Sequence, residues 1–112
     1  MSSMTVSQFV AFAQNFTGWP QMIERNFNFT FEQILEHLDK TASWEKFIYS
    51  GKPYNWPNFT ILRTPNGFAL FEREERSQFC SVKYYETLRE VVIEKINRIA
   101  EGRGLKFLDS RS

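Results

Sequence analysis

The apolar positions of the chain follow two periods in turn. Val6, Phe9, Val10 and Ala13 fall at i, i+3, i+4 and i+7, one face of a helix. Phe12 and Phe16 widen that stripe, Thr5 or Ser7 is placed to cap its start, and Thr17-Gly18-Trp19-Pro20 is a helix stop. Residues 21–28 read as a short helix or a loop. A second helix is predicted over 31–42. Phe31, Ile34, Leu35 and Leu38 form its apolar face, and Thr30 and Gln33 have capping-box spacing. Residues 43–57 scatter Trp44, Phe47, Ile48, Tyr49, Tyr54 and Trp56 among Gly51, Pro53 and Pro57. They read as an aromatic connector, with a short helix or an edge strand near 44–49.

The period then changes to two. Residues 58–64, 68–74 and 79–84 read as strands, and Thr64-Pro65-Asn66-Gly67 is a strong turn signal between the first two. Pro65 favours a three-residue loop with Gly67 in a bulge. Thr64 would then face Phe68, Leu62 would face Leu70, and Ile61 would face Phe71. A two-residue Asn-Gly loop would shift every pair by one. In the third strand Cys80, Val82 and Tyr84 share one face, predicted to lie against the last helix.

That helix starts at Thr87, with Thr87 and Glu90 at capping-box spacing. Leu88, Val91, Val92, Ile96 and Ile99 turn inward, Glu94 and Arg98 have the favourable i, i+4 order, and Gly102 and Gly104 end it. Leu105 and Phe107 fold back or belong with 108–112 to a loose tail. The predicted fold is α+β, in the order α-α-β-β-β-α: an antiparallel meander of three to four strands packed with about three helices in one domain spanning 1–112. Apolar residues on both faces of the hairpin pose a question that the helices alone do not answer. Either the aromatic connector covers the second face or a partner does.

Composition narrows the function classes. Of 112 residues, 42% are hydrophobic and twelve are Phe, enough to build a core from rings. Net charge is +1, which offers no electrostatic case for a nucleic-acid or membrane surface. The two halves hardly differ: residues 1–57 hold four basic and five acidic side chains, and residues 58–112 hold ten and eight. A single cysteine rules out an internal disulfide and fits a reducing, cytoplasmic setting. No basic leader and no long apolar run is present in the sequence.

Candidate chemistry is sparse. His37, the one histidine, sits at the edge of the second helix's apolar face without Cys or Asp at ligand spacing. Cys80 reads as a small buried thiol rather than a nucleophile. Arg63 with Lys83-Tyr84-Tyr85 has the mixture that holds single-stranded nucleic acid, but the alternation sends the rings to opposite faces. Glu72, Arg73, Glu74, Glu75 and Arg76 form a charged tip between the second and third strands. They are the candidate partner-binding residues, with the polar face of the second helix (Glu32, Glu36, Asp39) as the other surface. No catalytic, metal-ligating or cofactor-binding set is assigned, and the expectation is a binding protein rather than an enzyme.

Phe59-Thr60-Ile61-Leu62-Arg63-Thr64-Pro65-Asn66-Gly67-Phe68-Ala69-Leu70-Phe71, followed by a charged turn, the strand 79–85 and Thr87-Leu88-Arg89-Glu90, resembles the sheet-and-helix portion of small bacterial immunity proteins. Those proteins neutralise toxins of contact-dependent inhibition and related polymorphic toxin systems. The resemblance covers the second half of the chain and has no signature residue. It implies a non-enzymatic protein that binds a cognate toxin domain, for instance a nuclease, and blocks its active site. A small nucleic-acid-binding or regulatory domain is the alternative, and an enzyme subunit with a site at an oligomer interface is a third.

Overall fold

A computed structural model describes residues 4–14, 25–49, 59–73 and 80–108, apart from the side chains of Arg73, Cys80 and Arg103. The elements are α1 (Val6–Gln14), α2 (Phe31–Thr41), a 3-10 turn (Trp44–Phe47), β1 (Phe59–Thr64), β2 (Gly67–Arg73), β3 (Cys80–Tyr85) and α3 (Leu88–Arg103). The strands form one antiparallel sheet in the order β1-β2-β3. This is the α+β arrangement, with the α-α-β-β-β-α order, that the periodicity predicts.

Each helix begins where a hydroxyl takes up free amide groups. Thr5 caps α1, accepting from Gln8 N at 3.1 Å while its own N–H donates to Gln8 Oε1 at 2.9 Å. This is a full capping box, and its Gln8 arm follows the same spacing as the Thr30–Gln33 pair. Thr30 and Gln33 form the expected box at α2, at 3.1 and 2.7 Å. Thr87 Oγ1 accepts from Glu90 N at 3.2 Å at α3. The helix ends differ. Gly104 closes α3 in the left-handed region at φ 64°, whereas Gly102 lies inside the helix. Ala42 closes α2 at φ 50°, an unusual residue for a conformation that penalises a Cβ.

The core joins Phe9, Val10 and Ala13 of α1, Ile34 and Leu38 of α2, Phe47, Phe59, Ile61 and Leu70 of the sheet region, and Val91, Val92, Ile96 and Ile99 of α3. At one end the rings of Phe9, Phe12, Phe27, Phe29, Phe31 and Phe107 meet, with centroids from 4.8 to 6.3 Å apart in the contacting pairs. A fully buried Phe contributes roughly 1.5–3 kcal/mol. The segment after α3 completes this cluster. Leu105 is buried, Lys106 forms a parallel bridge with Asn26, and Leu108 N–H donates to Phe29 O at 2.8 Å. The return of 105–107 thus extends to Leu108, the start of the predicted tail, and residues 109–112 lie outside the described residues.

Two expectations about the sheet are corrected. First, the hairpin loop holds two residues, Pro65 and Asn66. Thr64 pairs with Gly67, Leu62 with Ala69 and Ile61 with Leu70, one position away from the predicted register. A one-residue slip exchanges the faces of a strand. The observed register gathers Phe59, Ile61, Phe68 and Leu70 on the α3 side, where three of them are buried and Phe68 is half-buried, so core formation outweighs the turn preference of Pro65. Gly67 has the expected positive φ, at 152°, but for a different reason. A Cβ there would run into the backbone oxygen of Tyr85, so the close approach of β3 demands glycine.

Second, β3 turns Ser81, Lys83 and Tyr85, not Val82 and Tyr84, to the α3 side. Their pairing with Glu72, Leu70 and Phe68 requires this. Val82 and Tyr84 stand on the opposite face, 38% and 71% exposed. On that face Thr60 and Ala69 are nonetheless buried and Leu62 and Phe71 half-buried, so it is partly covered along β1 and β2 and open along β3.

Of its two expected forms the connector takes the short helix, and beyond it makes an isolated bridge to β1 rather than a strand. Its 3-10 turn buries Phe47, and then Ile48 makes a parallel bridge to Ile61 while Tyr49 N–H donates to Ile61 O at 2.8 Å. The predicted helix stop at 17–20 and the remainder of the connector lie outside the described residues.

Candidate functional site

The charged tip begins at a strand end that is already occupied. Glu72, on the α3 side of β2, accepts from Arg98 Nη1 at 2.9 Å, and Arg98 Nε donates to Glu94 Oε1 at 2.9 Å. The three side chains are between 27% and 35% exposed, partly withdrawn from water. The hydrogen bond that Arg98 donates to Glu94, opposed by burial and aided by the charge of Glu72, raises the Arg98 pKa still further. Tyr85 feels the same charges. Burial first, and then the Glu94 charge, push its phenol up. Glu72 is therefore committed to holding α3 against the sheet. Arg73 is the last residue of β2 and pairs with Cys80 across the ladder. Glu74, Glu75 and Arg76 lie outside the described residues.

The other surface is also engaged. Asp39 accepts from Trp44 Nε1 at 2.8 Å and lies 3.9 Å from Arg89, whose guanidinium sits 5.2 Å from the Trp44 ring centroid. Glu36 pairs with Lys40 at 2.8 Å, leaving Glu32 without an ion pair among the described residues. His37 is half-buried beside Val6, Gln33, Glu36 and Lys40. No group of three or more metal-ligating side chains occurs among the described residues.

The basic and aromatic residues do not converge on one platform. Arg63 and Lys83 fall on the α3 side of the sheet and Tyr84 on the other. Arg63 is partly occupied, 3.8 Å from Glu45 and 5.8 Å from the Phe68 centroid.

One residue with functional character was not singled out from the sequence. Lys95 is 2% exposed, with its ammonium 5.6 Å from the Phe47 ring centroid and no carboxylate beside it among the described residues. Burial alone pulls its pKa down to about 8. The signal was present: residue 95 lies four positions after Val91 and four before Ile99, within the inward stripe. A lysine normally escapes such a stripe by extending its stem to water. Here the stripe lies between the sheet and the 3-10 turn, and the ring of Phe47 closes over the head group.

The exposed side of β3 completes the inventory. Residues 81–84 are exposed in succession. An open depression of about 580 Å³ lies at the strand's end, lined by Thr64, Pro65, Asn66, Tyr84, Tyr85 and Glu86. No described helix is long and apolar enough to cross a membrane. Comparison of the chain with protein families, curated proteins and solved structures finds no match.

Proposed function

We propose that this protein binds a single toxin domain and blocks its active site, as the resemblance of its second half to bacterial immunity proteins implies. The observation that supports this reading is the clamp of Glu72 by Arg98 and Glu94. It fixes the strand end from which the charged sequence Glu74-Glu75-Arg76 departs, and a contact surface mounted on a fixed element loses less entropy on binding. Carboxylates there suit a basic substrate cleft, because complementary charge accelerates association and sets orientation.

The test begins with the toxin domain that co-purifies with the protein from its source. Reversing Glu74 and Glu75 to Lys, with Glu72 left in place, is expected to slow association about tenfold or more at low ionic strength and less at high salt. The double variant should also lose protection of cells that express the toxin. The reading is overturned if no toxin domain is bound and the purified protein turns over a substrate by itself.

A further inference from the structure

The two edges of the sheet differ. The outer edge of β1 is in use, because Ile48 and Tyr49 pair with Ile61. β3 has no strand on its outer side among the described residues, and residues 81–84 are exposed in succession. Alternate residues of an edge strand direct N–H and C=O groups sideways, so the outer side of β3 is a hydrogen-bonding template that no described strand fills. Six consecutive pairs join it to β2 without a bulge to twist it away. Lys83 at its centre is a common guard against stray pairing. Its flank is less guarded: Val82 and Tyr84 form an exposed apolar row, and the depression beside Tyr84 and Tyr85 opens at the strand's end.

We propose that the outer edge of β3 receives an extended segment of a partner protein as a fourth strand. The segment carries a carboxylate opposite Lys83 and an apolar or aromatic side chain at the depression. Lys83 makes no ion pair among the described residues, so an incoming carboxylate meets an uncommitted ammonium. The backbone supplies attachment, and the alternating side chains supply selectivity. A second copy of this chain fits worse. Antiparallel pairing of β3 with itself centred on Lys83 sets two ammonium groups opposite each other. Centred on Val82, it sets Lys83 opposite Ser81 with no carboxylate. The proposal stands apart from the toxin-blocking reading, since any protein with such a segment satisfies it.

The probe is a synthetic peptide of about nine residues, alternating Thr and Val, with a central Asp and a Trp near one end. Titrated into the 15N-labelled protein, it is expected to shift the amide signals of residues 81–84. Methylating alternate peptide amides should weaken binding at least about tenfold, because the ladder cannot form. Replacing the Asp by Lys should weaken it by roughly fivefold. In Lys83→Glu, whose fold is checked by its spectrum, that preference should reverse. The proposal is overturned if millimolar peptide leaves residues 81–84 unshifted, or if the methylated peptide binds equally well. A charge preference that ignores Lys83→Glu also overturns it, as does self-association of the protein through β3.

Discussion

Helix α3 presents one cation toward the 3-10 turn and another toward β2, and the two are treated oppositely. Toward the 3-10 turn it buries Lys95 under the ring of Phe47, with no carboxylate beside it among the described residues. Toward β2 it offers Arg98, partly withdrawn from water, to Glu72 and to its own Glu94. They lie three positions apart in the sequence. The planar guanidinium can hold two carboxylates at once, while the compact ammonium depends on hydration that the Phe47 side denies it. The contact with β2 is therefore anchored by charge. The contact with the turn holds in spite of charge, through the apolar burial of Val91, Val92, Ile96 and Ile99.

The largest expected effect tests the unpaired side. Lys95→Met keeps the stem and removes the buried charge, and should raise stability by up to about 3 kcal/mol at neutral pH, measured by denaturant unfolding. The pH dependence carries the same information. The folded pKa is lowered to about 8 from the ordinary 10.5. Between those values the unfolded chain binds the extra proton, so stability should rise as pH rises from about 8 to 10.5. Lys95→Met should flatten that rise, and an unchanged slope would mean that the ammonium is hydrated.

Gly67→Ala tests the other side indirectly. The new Cβ would press on the Tyr85 backbone and displace the end of β3 that leads into α3, at a cost of roughly 2 kcal/mol. Arg98→Met removes the clamp and should cost about 1 kcal/mol, discounted because the group is partly solvated. Glu72→Gln is expected to cost only about 0.5 kcal/mol, since Glu94 remains. If Arg98→Met costs nothing when Lys95→Met stabilises strongly, charge anchors neither side of α3 and packing alone positions it.

Much of the fold was legible in local signals. Thr30 with Gln33, Thr87 before Glu90, and Gly104 after the last stripe position each act within one helical turn. Neighbours along the chain therefore suffice to read them. The sheet register was not legible. Pro65-Asn66-Gly67 supports several loops of nearly equal local energy, and the choice was made by where Ile61 and Leu70 meet α3. The same decision put Val82 and Tyr84 outside. The candidate site divided in the same way. The acidic run was plain in the sequence, but only the distance from Glu72 to Arg98 shows that its first carboxylate is structural. Lys95 was readable from its spacing, yet nothing local announces that a ring lies over its head group.

The sequence by itself determined the element types, their order and their caps, because helix stripes, strand alternation and amide capping are set by residues within four positions of one another. Only the tertiary structure decided the register of β1 on β2, the face that β3 turns to α3, the return of 105–108 to Phe27 and Phe29, and the opposite fates of Lys95 and Arg98. Those outcomes depend on contacts between residues far apart in the chain. There, burying one more apolar side chain in the shared core outweighs the smaller preferences of any single turn or charge.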